Sequence, residues 1–244
     1  MPVGTLTAIA ASSLAPRSGR PERALEHRRV VDAARGLFCL ADASGPAAYP
    51  GYHPALGIDL GLEAFVAAFA ATTATGPSRL LEAFRAAHEE MSRRRAAHPP
   101  GALGHFAASI TACAFAAGTI TVGQVGDCRA YRRRRQLDRV VVDVLVREHT
   151  LATAAPHHVA AMLAPDQAAA VVTRVVGEGF ELQVDTTTAP VRPGESYAIC
   201  SRALWPSIDD VFAAPTEAAL ATVTARCATC AGLDASAIVI EVAA

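Results

Sequence analysis

Two apolar, strand-like runs lie between Thr119 and Val142. They flank the segment Val125-Gly126-Asp127-Cys128-Arg129-Ala130-Tyr131-Arg132. This segment constrains the fold more than any other. An acidic residue directly after Val-Gly, at the end of the run Thr119 to Val125, places a carboxylate at the mouth of a sheet. The strand that leaves it alternates, with Arg129, Tyr131 and Arg133 on one face. The basic run Arg132 to Arg135 reads as a hairpin turn and a solvated face, able to meet an acidic partner. Leu137 to Val142 reads as the strand that follows.

The remaining chain alternates in type. Thr5 to Ala11 reads as a strand and Ser12 to Arg23 as a loop. Arg29 to Asp32 and Leu37 to Ala41 form a hairpin around Ala33 to Gly36, delivering Asp42 at a strand end. After the loop Ser44 to Pro54, two helices are expected. One is marked by Ile58, Leu62, Phe65 and Phe69. The other is capped by Ser78 and carries Leu80, Leu81, Phe84 and Met91. His98-Pro99-Pro100-Gly101 breaks the chain, and strands resume from about Phe106. A short helix is expected at His157 to Leu163, strands at Leu182 to Thr186 and Tyr197 to Cys200, and helices at Pro206 to Phe212 and Thr216 to Cys230. Ala237 to Val242 closes the chain as a strand.

With 244 residues and a formal net charge of −1, the chain fits one large domain, and no repeat or long linker divides residues 1–244. The charge balance argues against nucleic acid and anionic membrane as partners. Phe106 to Gly126 is long and nearly uncharged. Its Thr111, Gly118, Thr119, Thr121 and Gly123 argue for two buried strands joined at Ala117-Gly118, not a membrane helix. The N-terminus shows no basic-then-apolar signal pattern, so a cytoplasmic protein is expected. Every basic residue of the Lys/Arg class is arginine and alanine is abundant, which points to a bacterial source. Cys39, Cys113 and Cys200 read as small buried residues. Cys227 and Cys230 form a lone CxxC on an alanine-rich helix, which favours packing over zinc or redox use.

Val125 to Tyr131 resembles the Val-Gly-Asp-Ser-Arg-Ala-Tyr signature of the metal-dependent protein phosphatases (PPM, or type 2C), with Cys128 in place of the serine. Other segments fit the family in the same order, from about Thr5 to Val242. The resemblance implies an α+β fold, an αββα sandwich of two antiparallel sheets flanked by helix pairs. It also implies hydrolysis of phosphoserine and phosphothreonine, with strand-end aspartates holding two Mn or Mg ions and a bridging water as nucleophile. Glu148-His149-Thr150-Leu151 and Thr173-Arg174-Val175-Val176-Gly177 resemble two structural landmarks of the family.

Residue by residue, the resemblance assigns the following. Leu25-Glu26-His27 stands at the family's Asn-Glu-Asp. Glu26 is kept and His27 replaces an aspartate. Arg23, one residue short in spacing, and Arg20 are the candidates for the phosphate-binding arginine. Ala41-Asp42-Ala43 matches Ala-Asp-Gly, so Asp42 would bridge both metals and Ala43 would offer its backbone carbonyl. The histidine of that motif is missing. Asp127 sits near an accessory metal position. Ile199-Cys200-Ser201-Arg202-Ala203-Leu204-Trp205 matches Leu-Cys-Ser-Asp-Gly-Leu-Trp, so Arg202 replaces a metal-binding aspartate. Asp234 is kept in the last motif, and its asparagine is lost.

A cation where a cation's ligand belongs should oppose metal binding. At an effective dielectric of about 20 and roughly 4 Å, one Arg–Asp pair is worth about 4 kcal/mol before desolvation. Arg202 is therefore expected to fill one metal's place and neutralise Asp42 and Asp234. His27 reads as a hydrogen-bonded structural residue in preference to a ligand. The favoured reading is a pseudophosphatase that binds a phosphoprotein or a protein kinase, through a surface such as the loop Ser44 to Pro54. The alternative is an active Mn- or Mg-dependent phosphatase with a reduced site made from Asp42, Ala43, Asp127 and Asp234.

Overall fold

The structure is a computed structural model. It describes residues 8–16, 27–43, 54–97, 107–155, 162–179, 181–214 and 216–243. Ten strands form two five-stranded antiparallel sheets. The first has the order β1 (Ala8–Ala15), β10 (Ala235–Val242), β9 (Ser196–Cys200), β6 (Arg129–Gln136) and β7 (Arg139–Val146). The second has the order β2 (His27–Asp32), β3 (Leu37–Ala43), β4 (Ala108–Ala116), β5 (Thr119–Val125) and β8 (Asp185–Pro190).

Hydrophobic burial fixes the layers. Helices α1 (Pro54–Ala71) and α2 (Gly76–Ala96) cover the second sheet, where Phe65, Phe69, Leu80, Phe84 and Met91 meet Leu37, Cys39 and Ile110. Phe38, Leu40, Val122, Cys128, Tyr197, Ile199 and Ile238 fill the space between the sheets. On the far side of the first sheet lie a 3-10 turn (Arg202–Ser207) and two later helices, Ile208–Ala213 and Glu217–Ala231. With short helices α3 (Leu151–Ala154) and α4 (Pro165–Ala170) before them, these are α5 and α6. The architecture is the expected αββα sandwich.

Burial inside the sandwich explains why so apolar a stretch is sheet. Both strands are buried on both faces, and Ala117 and Gly118 take left-handed φ of 48° and 73° in a two-residue hairpin. A Cβ on Gly123 would stand 2.7 Å from Phe84 Cε2, so its lack of one lets α2 lie directly on β5.

Several local expectations change. Arg132 to Arg135 are not a turn. They continue β6, and the turn is Leu137-Asp138. The strand accommodates them because alternate arginines find partners on opposite faces. Arg132 and Arg134 bond Asp143 across the ladder, and Arg133 donates to the Phe212 carbonyl. Strand β1 runs on through Ser12 and Ser13, which read as loop, because Ser13 Oγ bonds Thr224 Oγ1 of α6 at 2.7 Å. Helix α2 starts before Ser78. Thr75 is its N-cap and Pro77 lies in its first turn, where a fixed φ favours initiation. Strand β8 begins at Asp185, while Leu182 and Val184 pack on the core from an irregular segment. Most of the helix expected at His157 to Leu163 lies outside the described residues.

Candidate functional site

The site lies where β2, β3, β4 and β10 end together. Register places His27 opposite Asp42, and Asp42 opposite Ser109, in one row across three strands. His27 is 3% exposed. Its Nε2 lies 3.0 Å from Asp42 Oδ1, and its Nδ1 lies 2.8 Å from Ser236 Oγ of β10. Burial alone would lower its proton affinity. Asp42, by charge and hydrogen bond, overcomes this with help from Asp234 and Asp127, and the pKa is raised above the ordinary value.

Asp127 follows β5. Ser109 Oγ donates to Asp127 Oδ1 at 2.8 Å and accepts from the Asp127 N–H at 3.2 Å. Gly126 makes this possible, because a Cβ there would fall 2.1 Å from Ser109 Oγ, and its φ is 106°. Burial, and then the charge of Asp42, push the Asp127 carboxyl up to about 6, against the opposing Ser109 hydrogen bond and the charge of Arg202. Asp42, Asp127 and Cys128 each present a ligand atom within 4.8 Å of the others. The Cys128 thiol is buried between the sheets, and burial drives its pKa well above the usual range. It reaches the cluster as a neutral group.

Arg202 opens the 3-10 turn after β9 and is partly buried. It does not grip Asp42 and Asp234 as expected. Among the described residues the side chain that contacts Asp42 is His27, and Arg202 acts on the cluster through its charge at Asp127. The backbone explains the change. His27 is directly opposite Asp42 on the neighbouring strand, whereas Arg202 starts a turn on the other sheet. Asp234 is buried just before β10, and its charge adds to the raised proton affinity of His27. Ala43 ends β3 in register with Ala108. Glu26, Arg20, Arg23 and all of Ser44 to Pro54 but its last residue lie outside the described residues. Ser109 and Ser236 were missed. Ser109 lies across from Asp42 only once β3 and β4 are paired, and Ser236 reaches His27 only once the two sheets pack face to face.

The two family landmarks form a separate lock. Arg129 Nε and Nη2 donate to Glu148 Oε2 and Oε1 at 2.7 and 2.6 Å, and the guanidinium lies 3.6 Å from the Trp205 ring centroid. Gly126 N–H donates to His149 Nδ1 at 3.1 Å. His149 Nε2 meets Asp185 at 3.0 Å, and Arg174 reaches the same aspartate at 2.9 Å.

These residues can be tested against a centre for two hard cations, which needs several oxygen ligands per ion. The described residues converge two carboxylates and a protonated thiol, enough to touch one ion. One of the carboxylates already bonds an imidazole, and an arginine holds the position where the family motif has an aspartate. The described residues therefore do not fit a two-ion centre. No helix among them is long and apolar enough to cross a membrane. Cys227 is buried and Cys230 exposed on α6.

No family model and no curated protein matches the sequence. Solved structures do match. The catalytic domain of the serine/threonine phosphatase PstP, in complex with two manganese ions, is 20% identical, with a TM-score of 0.76 over 98% of this chain and 100% of that one. The PPM phosphatase MsPP of Mycobacterium smegmatis, in complex with cacodylate, is 20% identical, with a TM-score of 0.75 over 98% of this chain and 99% of its own. PppA, described as a key regulatory component of the T6SS in Pseudomonas aeruginosa, is 20% identical, with a TM-score of 0.74 over 96% and 97%. The chain thus has the fold of the PPM-type serine/threonine phosphatases, the family that its motifs resemble.

Proposed function

We propose that this chain is a pseudophosphatase, a PPM-fold domain spanning residues 1–244 that binds a phosphoprotein or a protein kinase in the cytoplasm and does not hydrolyse phosphate esters. One observation carries the reading. Asp42, the carboxylate that would bridge two metals, is held at 3.0 Å by the buried His27, whose raised pKa favours its cationic form. Arg202 adds a second positive charge at the position of a lost aspartate. The charge of Arg202, and that of His27 when its ring is protonated, do part of the charge neutralisation that metals would otherwise supply near Asp42, Asp127 and Asp234, and they oppose any incoming cation. A regulatory role is in keeping with the PppA neighbour, which is described as regulatory.

The test is manganese titration calorimetry with para-nitrophenyl phosphate turnover in the same buffer. The native protein is expected to bind no manganese and show no turnover, while His27→Asp combined with Arg202→Asp gains manganese binding. Manganese-dependent turnover by the native protein, abolished by Asp42→Ala, would make it an Mn- or Mg-dependent phosphatase. A double variant that binds no manganese would overturn the assignment of His27 and Arg202 to ligand positions.

A further inference from the structure

Cys128 stands where the family signature has serine, and it is fully buried. Its Sγ and one carboxylate oxygen each from Asp42 and Asp127 lie within 4.8 Å of one another. Among the described residues no hydrogen bond engages the thiol. His27 holds Oδ1 of Asp42, and no described residue bonds its Oδ2. Packing alone does not call for this arrangement, because two carboxylates that converge on a neutral thiol gain at most a weak hydrogen bond from it.

The donors are held from behind. Ser109 Oγ donates to Asp127 Oδ1 at 2.8 Å, and Thr111 Oγ1 donates to the Cys128 carbonyl at 3.4 Å. Both lie on β4, so one strand fixes two of the three donors. Such outer contacts orient the ligands of a metal. Zinc stands about 2.0 Å from carboxylate oxygen and about 2.3 Å from thiolate sulfur, which keeps its donors roughly 3.5 Å apart. The three donors here need to close only slightly to meet that spacing. The Asp42 side chain is 20% exposed, which leaves a way in from solvent.

We propose that Cys128, Asp127 and Asp42 form a binding site for a single zinc ion, in place of a centre for two hard ions. Thiolate sulfur favours zinc, whereas manganese and magnesium favour oxygen. Three protein ligands leave the fourth corner of a tetrahedron to water. Charge is the obstacle, since Arg202 and protonated His27 repel any cation. The thiol answers it. On binding, the S–H bond of Cys128 is exchanged for a bond to zinc and the proton leaves to solvent, so the cluster gains a negative charge. Two carboxylates, a thiolate and a dipositive ion then leave one negative charge over. Arg202, whose charge acts at Asp127, offsets it.

The experiment titrates the full chain, freed of metal by chelation, with cobalt(II) and then with zinc, and follows absorption. A thiolate ligand gives cobalt(II) an intense near-ultraviolet charge-transfer band. Expected is such a band, saturating at one ion per chain and erased by one equivalent of zinc. Cys128→Ser, which restores the residue of the family signature, should remove the band and weaken zinc binding about a hundredfold. Asp42→Asn should keep the band and weaken zinc binding about tenfold. Cys227→Ser combined with Cys230→Ser should change neither. Absence of the band in the native chain would overturn the proposal, and so would an unchanged zinc affinity in Asp42→Asn. A band that survives Cys128→Ser and is lost with Cys227 and Cys230 would overturn it too, by moving the metal to α6. The readout is metal at sulfur, so its failure leaves the function proposed above standing. Failure of that function leaves the cobalt band expected.

Discussion

His27 and His149 are built almost alike, yet their proton affinities move in opposite directions. Each is buried, and each places its Nε2 3.0 Å from an aspartate, Asp42 or Asp185. Burial disfavours the charged imidazole at both. At His27 the aspartates outweigh burial and the pKa is raised. At His149 burial prevails, Asp185 opposes it only in part, and Arg174 adds to the lowering. The other ring nitrogen reinforces the difference. His27 Nδ1 faces Ser236 Oγ, which can give or accept a proton, whereas His149 Nδ1 accepts from the Gly126 N–H and must stay bare. The lesson concerns the surroundings. The lock around His149 is nearly balanced in charge, while the cluster around His27 holds more carboxylate than the histidine alone can offset.

The largest expected effect is at His27. His27→Ala leaves Asp42 without its contact cation and opens a buried gap, and should cost about 3 kcal/mol in urea denaturation near pH 6. His149→Ala loses two hydrogen bonds in a neutral setting and should cost about 2 kcal/mol. A reversed order would break the comparison. Next comes Asp127→Asn. Asp127 is ordinarily ionised above about pH 4, but its folded value is about 6. The fold therefore holds its proton more tightly than the unfolded chain does, and stability falls as pH rises through that window. Removing the charge should stabilise the protein by about 2 kcal/mol near pH 8 and by almost nothing near pH 4. A destabilised variant at pH 8 would show that the Ser109 hydrogen bond and the Arg202 charge outweigh burial and the repulsion of Asp42.

The histidines make opposite contributions to the pH dependence. The raised pKa of His27 gives stability that is fully present below about 6.5 and lost as pH climbs through its higher folded value. The lowered pKa of His149 removes stability as pH falls below about 6.5, because the unfolded chain takes the proton first. Titration of the two ring protons by NMR should place His27 above and His149 below that value. His27→Gln should remove the loss on the alkaline side, and His149→Gln the loss on the acidic side. Two histidines titrating together would end the contrast.

Much of the fold was legible because periodicity and order are local signals. Strand–helix pair–strand–helix pair–strand, with carboxylates at strand ends, led to the sandwich, and the motif residues located Asp42, Asp127 and Asp234. The pairing inside the site was less legible. Arg202 drew attention because it replaces an aspartate, yet which cation touches Asp42 depends on strand register, and register put His27 directly across. Ser109 and Ser236 carry no motif, and they matter because strand pairing puts Ser109 beside Asp127 and packing of the two sheets puts Ser236 beside His27. The arginine run was misread because charge density suggests a turn, while Asp143 and the Phe212 carbonyl, both distant in sequence, let those residues remain in a strand.

The smallest effect tests whether the His149 lock is as balanced as it looks. Arg174 and Asp185 meet at 2.9 Å, with side chains 39% and 54% exposed. Such a pair contributes about 0.5 kcal/mol, screened by salt. Arg174→Ala should therefore cost about 0.5 kcal/mol near pH 7 at low salt. It also removes one of the causes that lower the His149 pKa. That raises the folded value towards the unfolded one and reduces the stability lost to acid, so the cost of the substitution should shrink as pH falls below about 6.5. A cost that stays constant with pH and salt would mean that Arg174 acts by holding the segment Thr173–Val176 in place, where Thr173 N–H donates to the His149 carbonyl at 2.8 Å, and that its charge has no part in setting His149.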